Sequence, residues 1–289
     1  MIKLFLMGSK GLFSLQNLNP EFYSLIDRVV IGKDQKVQND YSKELFSLSK
    51  ELKIKAFLRS GDHDNKNIKL LIAIGWRWLI KSNLKLIVFH DSILPKYRGF
   101  NPLVTALING DNEIGVTAIE ATEEFDKGDI IKQKKVSISH PITIRDAINK
   151  ISFLYADMLN AVIHDYLDNN LSSLPQNEEL VSFSLWRDEH DYKIDWNKSA
   201  AEIVRFIYAL GYPYMGAKTK IGKKNLRIFY AEEVDDVVIA NRTPGKVLFK
   251  NNTEYTIVCG KGLLKVSEFF NDDGDRVTFK NKFRLRFGK

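Results

Sequence analysis

Short apolar runs alternate with longer amphipathic segments through the N-terminal part of this 289-residue chain, and this alternation limits the folds available to it. Four runs are typical of buried strands: Ile2–Met7, Lys69–Ile74, Leu84–Phe89 and Val116–Ala121. Helical spacing follows, most extensively over residues 144–162. Strands that alternate with helices predict an α/β domain, with a Rossmann-like, mostly parallel sheet covered on both faces.

The sequence changes character near residue 170. Residues 169–177 are mainly polar and contain Pro175, which is typical of a linker. One more helix is expected over 199–210, and after it the chain consists of short strands separated by turns. This pattern predicts a smaller β-rich barrel or sandwich. We expect a first domain over residues 1–185 and a second over residues 186–289.

Composition excludes several classes of protein. The single cysteine, Cys259, excludes a disulfide framework and a multi-cysteine zinc site, and it favours a reducing compartment. The N-terminus lacks the features of a signal peptide, and no run has the length of a membrane span. The five histidines are scattered without ligand spacing, so no metal site is expected, and Asp62-His63-Asp64 has the pattern of an exposed polar turn. A cytoplasmic protein without membrane association is predicted.

The net charge of +7 lies entirely in the C-terminal third. Residues 190–289 hold 19 Lys and Arg against 12 Asp and Glu, whereas residues 1–189 are neutral overall. A basic second domain can attract phosphates, nucleotides or nucleic acid. The charge excess can equally come from lysines on solvated faces, so the charge alone does not identify a partner.

One histidine and one aspartate are placed where an α/β fold binds its ligands. His90 follows the strand predicted over 84–89, and Asp126 lies in the loop after the strand predicted over 116–121, beside Gly128. Ligands of open α/β sheets bind at the carboxyl ends of the strands, so the two side chains can meet at one crevice. A histidine oriented by a carboxylate is suited to general acid–base catalysis.

Two segments, HDSILPKYRG and GDNEIGVTAIEATEEFDKGDII, resemble the folate-dependent formyltransferase family, which includes glycinamide ribonucleotide, methionyl-tRNA and sugar-amine formyltransferases. The family motif is kept in order at His90, Ser92, Leu94, Pro95, Arg98, Gly99, Gly115, Val116, Thr117, Asp126, Gly128 and Ile130. Further segments resemble the family at Trp186–Trp196, Gly211–Thr219, Pro244–Val247 and Val258–Gly262. The resemblance covers nearly the whole chain and implies that the second domain is OB-like.

The resemblance implies a reaction and roles for individual residues. The donor would be 10-formyltetrahydrofolate, whose formyl carbon is attacked by a free amine while an oxyanion develops on the formyl oxygen. His90 would donate to that oxygen, and Asp126 would orient His90 and assist proton removal. The expected folate-binding residues are Ile74, Trp76, Arg77, Trp78, Leu94 and Phe125, and the two indoles can stack on a flat ring or donate their N–H groups. The expected acceptor-binding residues are Ser9, Lys10, Lys96, Arg98 and Tyr212. Residues 8–11 are expected to form a turn that can hold an acceptor phosphate, and Lys96 and Arg98 can face anionic groups.

One position departs from the family. Val88 stands two residues before His90, where the family has asparagine, and valine offers no side-chain hydrogen bond. Another donor can replace it, such as Ser92, Asn101, a backbone N–H or a water. Alternatively the local register differs, or the protein has lost or changed its activity. We favour a substitute donor, because His90, Asp126 and the loop between them are kept.

The acceptor amine has three candidates: a nucleotide-activated amino sugar for bacterial surface polysaccharides, methionyl-tRNA, or none in a folate- or nucleotide-binding relative. The basic second domain favours tRNA. Residues 30–50, however, lack the basic insertion of the tRNA enzymes, and the segment around Tyr212 is more similar to the sugar enzymes. Glycinamide ribonucleotide is disfavoured, because its enzymes have one domain. We therefore expect a sugar N-formyltransferase, with methionyl-tRNA as the alternative acceptor and a catalytically impaired binding relative as the second alternative. The resemblance to sugar enzymes, which often associate, makes a homodimer one possibility, and the sequence leaves the oligomeric state open.

Overall fold

A computed structural model describes residues 1–35, 37–61, 65–279 and 282–289 of the chain. The polar triplet Asp62-His63-Asp64 therefore lies outside the described residues.

Helices are interspersed among the strands as far as residue 167, and beyond it the chain consists mostly of short strands, with one further α-helix at residues 200–209 of the described chain. The helices are α1 (Gly8–Gln16), α2 (Ser42–Glu51), α3 (Pro102–Asn109), α4 (Ile144–Leu167) and α5 (Ala200–Ala209). The strands of the first part are β1 (Ile2–Leu6), β2 (Ile26–Ile31), β3 (Lys55–Leu58), β4 (Leu70–Ile74), β5 (Lys85–His90), β6 (Arg98–Gly99), β7 (Glu113–Glu120), β8 (Ile130–Ser137) and β9 (Phe183–Ser184). Those that follow are β10 (Ala217–Ile221), β11 (Lys224–Ile228), β12 (Glu232–Val234), β13 (Val247–Asn251), β14 (Glu254–Val258), β15 (Leu263–Val266), β16 (Phe269–Phe270) and β17 (Arg276–Val277).

A seven-stranded sheet forms the centre of the first part, in the order β3-β2-β1-β4-β5-β7-β8. The five strands from β3 to β5 are parallel, while β7 and β8 join antiparallel to their neighbours. Strands β1 and β4 are buried along their whole length, as expected for central strands of a sheet covered on both faces. The carboxyl ends of β1, β4 and β5 therefore lie side by side at one edge.

The chain divides into two compact units. The first comprises Met1–Leu103, Glu113–Ser137 and Ala147–Leu185, and the second comprises Val104–Asn112, Ile138–Asp146 and Trp186–Lys289. The predicted domains, 1–185 and 186–289, stay a prediction, because compactness does not show which segments fold independently.

The second unit is rich in antiparallel strands. One four-stranded sheet has the order β10-β11-β16-β17, and another has the order β12-β15-β14-β13. Helix α5 begins at a capping box, in which Ser199 and Glu202 each bond the other's backbone N–H. The predicted fold class is confirmed: a mixed α/β part with a mostly parallel sheet, and an antiparallel β-rich C-terminal part.

Two local expectations were wrong. Residues Gly8–Gly11 were expected to form a turn, but they are the first turn of α1. The strand β8 was not expected, because its alternating lysines (IIKQKKVS) lack the continuous apolar pattern of the central strands. As the last strand of the sheet, β8 has neighbours on one side only, which explains its polar residues.

Within the described residues, no helix combines the length and apolar character that crossing a membrane requires.

Candidate active site

Strand β5 ends in a histidine at the carboxyl edge of the parallel sheet. Its sequence is apolar from Leu86 to Phe89, and the His90 side chain that follows is only 7% exposed. His90 pairs with Thr117 of β7. Ligands of open α/β sheets bind beyond the carboxyl ends of the strands, so His90 lies where this fold places its ligands.

Both ring nitrogens of His90 have a partner. Its Nε2 lies 2.8 Å from the carbonyl oxygen of Tyr97, and its Nδ1 lies 3.4 Å from Oδ1 of Asp126. Because a carbonyl oxygen can only accept, Nε2 carries a hydrogen. Nδ1 of a neutral imidazole then has a free lone pair, so the pair can take up one proton between Nδ1 and the Asp126 carboxylate. The structure thus brings together the two residues that the sequence singled out, and they can share a proton.

Hydrogen bonds fix the loop that carries Asp126. The residue has a φ of +55°, in the left-handed region, and its Oδ2 accepts from the backbone N–H of Gly99 at 3.0 Å. The side-chain amide of Gln176 donates to the carbonyl oxygens of Asp126 and Gly128, each at 2.8 Å. A Cβ at position 128 would overlap the carbonyl oxygen of Glu120, so only glycine lets this loop turn back towards the sheet.

Arg98 belongs to the same network, which corrects the expectation that it faces an anionic ligand. Its side chain is 3% exposed, and its Nε donates to Oε1 of Gln176 at 3.0 Å. Its two terminal nitrogens donate to the carboxylate of Glu178 at 3.1 and 2.8 Å. These hydrogen bonds lower the pKa of Glu178. Arg98 therefore holds Gln176 in place and supports the Asp126 loop indirectly.

A second polar group lies directly after His90. The carboxylate of Asp91 accepts hydrogen bonds from the Lys10 ammonium and from the Tyr155 hydroxyl. Burial alone would raise the pKa of Asp91, but the charge and hydrogen bond of Lys10 and the bond from Tyr155 outweigh it, so the pKa is lowered. Burial and the Asp91 charge raise the pKa of Tyr155 well above its usual range.

Sequence reasoning missed Asp91 and Tyr155, and it assigned Lys10 to an acceptor phosphate. In the structure Lys10 is paired with Asp91, and its ammonium lies 5.6 Å from the centre of the Tyr155 ring. Asp91 directly follows His90 in the sequence. That position at a strand end is a signal that could have indicated it, but its two partners are far away along the chain.

The other residues expected to bind the acceptor lie in separate places. Ser9 is in the first turn of α1 and is half-buried. Lys96 is exposed, with its ammonium 4.7 Å from the centre of the Tyr97 ring. Tyr212 belongs to the second unit, where the guanidinium of Arg145 lies 4.3 Å from its ring centre. The roles of these residues remain predictions.

The segment expected to hold the pterin follows β4. Ile74 ends the strand and is fully buried. The rings of Trp76 and Trp78 meet edge to face at 5.0 Å, and Arg77 makes two hydrogen bonds to Asp34, at 2.9 and 2.8 Å. Among the described residues, the Trp76 indole N–H is buried and has no hydrogen-bond partner.

The loop after His90 is tied to β7 and β8. The Thr117 hydroxyl donates to the carbonyl of Ser92 at 2.7 Å and accepts from the backbone N–H of Leu94 at 3.2 Å. Gln133 donates to the carbonyl of Leu94 at 2.9 Å and to the Thr117 hydroxyl at 2.8 Å. Leu94 is 3% exposed, and the buried Ser92 hydroxyl has no partner among the residues that the structure describes.

Two exposed aromatic rings flank the Asp126 loop. Phe125 is 62% exposed, Phe100 is 44% exposed, and their ring centres are 6.1 Å apart. Phe125, expected to contact folate, thus presents a face on which a flat ring can stack. Asn101, the other suggested donor, is half-buried directly before α3 and has a φ of +50°.

Val88 lies on the same face of β5 as His90, because alternate residues of a strand point to the same side. It packs on an apolar group that also contacts Trp76; the buried members of this group are Phe5, Val30, Ile68, Leu71 and Ala73. The position where the family has asparagine is therefore filled by apolar packing.

The arrangement is suited to chemistry on an uncharged carbonyl group. It offers a pair, His90 and Asp126, that can take up a proton, together with a rigid loop and neighbouring aromatic faces. In the described ranges, no group of three or more His, Cys, Asp or Glu side chains is arranged to hold a metal ion.

Two family models match the chain. "Formyl transferase" matches residues 70–163, and "Formyl transferase, C-terminal domain" matches residues 187–285. The chain belongs to the formyl transferase family, an enzyme family, as the sequence motifs predicted.

A curated methionyl-tRNA formyltransferase from Lactococcus lactis subsp. lactis (strain IL1403) is 31% identical over 207 residues. The match covers 67% of this chain and 64% of that protein, so the chain spans a little under two thirds of the relative's length.

Two solved structures share the fold. An N-formyltransferase from Helicobacter canadensis, in complex with folinic acid and dTDP-3-aminofucose, has a TM-score of 0.68 and 19% identity, covering 93% of this chain and 99% of that one. A methionyl-tRNA formyltransferase from Clostridium thermocellum has a TM-score of 0.60 and 22% identity, covering 83% and 96%.

Replacing Gly128 by alanine is expected to displace the loop that carries Asp126, because the new Cβ overlaps the Glu120 carbonyl. We expect the melting temperature to fall by several degrees, corresponding to roughly 2 kcal/mol or more of lost stability. The control is Gly61→Ala, where an added Cβ meets nothing within 4 Å. Equal melting temperatures for the two variants would contradict this account of the loop.

Replacing Asp91 by asparagine is expected to destabilise the fold by about 2–3 kcal/mol at neutral pH, since it leaves the Lys10 charge without its partner. The folded-state pKa of Asp91 is lowered, so the ionised carboxylate stabilises the fold above its ordinary pKa of about 3.9. That contribution is lost as the pH falls through the folded value.

The difference in unfolding free energy between wild type and Asp91→Asn should therefore shrink below about pH 4. Urea denaturation at neutral and acidic pH measures it, with the exposed Asp273→Asn as control. A difference that stays constant with pH would show that Asp91 does not stabilise the fold through its charge.

Proposed function

We propose that the chain transfers the formyl group of 10-formyltetrahydrofolate to the amino group of a nucleotide-linked amino sugar, in the cytoplasm. The observation that carries the proposal is the contact of His90 Nδ1 with Asp126 at 3.4 Å, at the carboxyl edge of the parallel sheet of a formyl transferase family member. Bound folate would supply the formyl group. The chain's own residues would orient the acceptor and move its proton.

The His90–Asp126 pair is suited to remove the proton that the amine loses. As the amine nitrogen bonds to the formyl carbon, the nitrogen becomes acidic and the shared site at His90 and Asp126 can accept its proton. Gly99 and Gln176 keep Asp126 in position through the contacts described above, so the pair is organised before the substrates bind.

Three features support a folate donor in this site. The N-formyltransferase from Helicobacter canadensis is described with folinic acid bound, and its fold matches nearly the whole chain. The exposed face of Phe125 and the indoles after β4 are suited to contact a pterin or a benzoyl ring.

A sugar acceptor is supported by the extent of the structural match. The Helicobacter canadensis protein, described with dTDP-3-aminofucose, is covered over 99% of its length by 93% of this chain. The resemblance of the Tyr212 segment to sugar enzymes, and the lack of a basic insertion over residues 30–50, agree with this choice. A homodimer remains a prediction.

Methionyl-tRNA is the second candidate acceptor. The curated relative from Lactococcus lactis is named a methionyl-tRNA formyltransferase, and the excess of positive charge lies in residues 190–289. Phosphate contacts made by such a surface would give binding that weakens steeply as salt is raised.

Tetrahydrofolate release from 10-formyltetrahydrofolate tests the acceptor directly. We expect turnover with at least one nucleotide-linked 3- or 4-amino sugar and little dependence on salt. Methionyl-tRNA is assayed in parallel at low and high salt. Turnover with tRNA alone, falling steeply with salt, would contradict the sugar assignment and favour the second candidate. Folate binding without turnover on any acceptor would indicate a binding protein.

His90→Ala and Asp126→Asn are each expected to lower kcat by about 10²–10⁴-fold, because proton removal from the amine then lacks its acceptor. Asp129→Asn is the matched control, since Asp129 lies three residues along the same loop and is exposed. Full activity in either of the first two variants would contradict the assignment of the pair.

A further inference from the structure

We propose that the indole N–H of Trp76 donates a hydrogen bond to the formyl oxygen during transfer and supplies the donor that Val88 lacks. The inference rests on the proposed formyl transfer and adds one catalytic residue to it. The observation behind it is the buried Trp76 Nε1, which has no hydrogen-bond partner among the described residues.

An unpartnered indole N–H requires an explanation. Buried polar groups in folded proteins are nearly always hydrogen-bonded, because burial without a partner costs about 1–3 kcal/mol. Indole Nε1 can only donate, so a ligand that satisfies this N–H must carry an acceptor such as a carbonyl oxygen. The formyl group has one.

The position of Trp76 fits this role. Strand pairing aligns Ile74 with Phe89, so the chain leaves β4 at the level where β5 reaches His90. Trp76 packs against the same apolar group as Val88, on the face of β5 from which His90 also projects. The Trp76 ring, which lies against Phe5 and close to Gly32, and the His90 side chain thus lie on the same face of the sheet.

His90, which the family resemblance implied as donor to the formyl oxygen, has a partner at each ring nitrogen in the structure. The Nε2 of His90 already faces the Tyr97 carbonyl, and its Nδ1 faces Asp126. The Trp76 ring is held edge to face by Phe5 at 5.1 Å and by Trp78 at 5.0 Å. These contacts hold the ring, and because the N–H is buried, the side chains that cover it must move to admit the formyl oxygen. The hydroxyl of Ser92, another buried group without a partner among the described residues, rotates about its C–O bond and is less well fixed.

The reaction balances without transfer of the indole hydrogen. The amine nitrogen forms a bond to the formyl carbon as negative charge develops on the formyl oxygen, which the Trp76 N–H stabilises. The carbonyl then re-forms as the bond from that carbon to N10 of the folate breaks. The His90–Asp126 pair takes the amine proton and returns one proton to N10, which leaves as tetrahydrofolate.

The first test is Trp76→Phe, which keeps an aromatic ring and removes the N–H. We expect kcat to fall by about 10²-fold, the effect of removing one oxyanion donor. Trp196→Phe is the matched control, because it removes a buried indole N–H that bonds Thr219 at 3.0 Å in the second unit. It should leave kcat unchanged. A kcat of Trp76→Phe within threefold of wild type would overturn the proposal.

A double variant separates the N–H from ring packing. If Trp76 supplies the donor that position 88 lacks, the double variant Trp76→Phe with Val88→Asn should have a kcat at least tenfold above that of Trp76→Phe alone. No recovery would assign the effect of Trp76 to packing and overturn the proposal.

A second measurement uses the wild-type protein and does not depend on turnover. The four tryptophans give four indole N–H resonances in a ¹⁵N-labelled protein, and the two phenylalanine variants identify those of Trp76 and Trp196. We expect 10-formyltetrahydrofolate to shift the Trp76 proton downfield and tetrahydrofolate, which lacks the formyl group, to leave it in place. Equal shifts with both would overturn the inference. If folate shifts the resonance but no acceptor is formylated, the proposed function fails and the donor role stands.

Discussion

The return of the Asp126 loop towards the sheet is the constraint on which the rest of the site depends. It requires glycine at position 128, because any side chain would overlap the Glu120 carbonyl. The side-chain amide of Gln176 then donates to the backbone carbonyls of Asp126 and Gly128, and Arg98 donates to Gln176. The outcome is a carboxylate held against His90 before any ligand binds. A site preorganised in this way can stabilise a transition state without reorganising at the moment of reaction.

The sequence indicated the parts of this arrangement that depend on local pattern. The apolar runs predicted the central strands, and the position of His90 at a strand end predicted its place at the carboxyl edge of the sheet. Side-chain partners far apart in the sequence could not be predicted. Arg98 was expected to face a ligand because nothing in its neighbourhood shows that Glu178 lies beside it. Lys10 was assigned to a phosphate for the same reason, since its partner Asp91 lies on another element.

The valine two residues before His90 departs from the expected family motif, and the structure gives it a physical context. Val88 completes an apolar group that supports Trp76, whereas asparagine there would place an amide against apolar side chains. Two features are therefore connected: an apolar residue on the strand, and an indole that packs on the same apolar group and whose N–H has no partner among the described residues. In this account the donor to the formyl oxygen has moved from the strand β5 to the segment after β4.

A crystal structure of the protein with 10-formyltetrahydrofolate and a nucleotide-linked amino sugar would test this account most directly. The account predicts the formyl oxygen within about 3.1 Å of Trp76 Nε1, with the acceptor amine directed towards His90 and Asp126. A formyl group bound away from the carboxyl edge of the sheet would contradict it. So would a Trp76 indole that donates to the protein itself while another group holds the formyl oxygen.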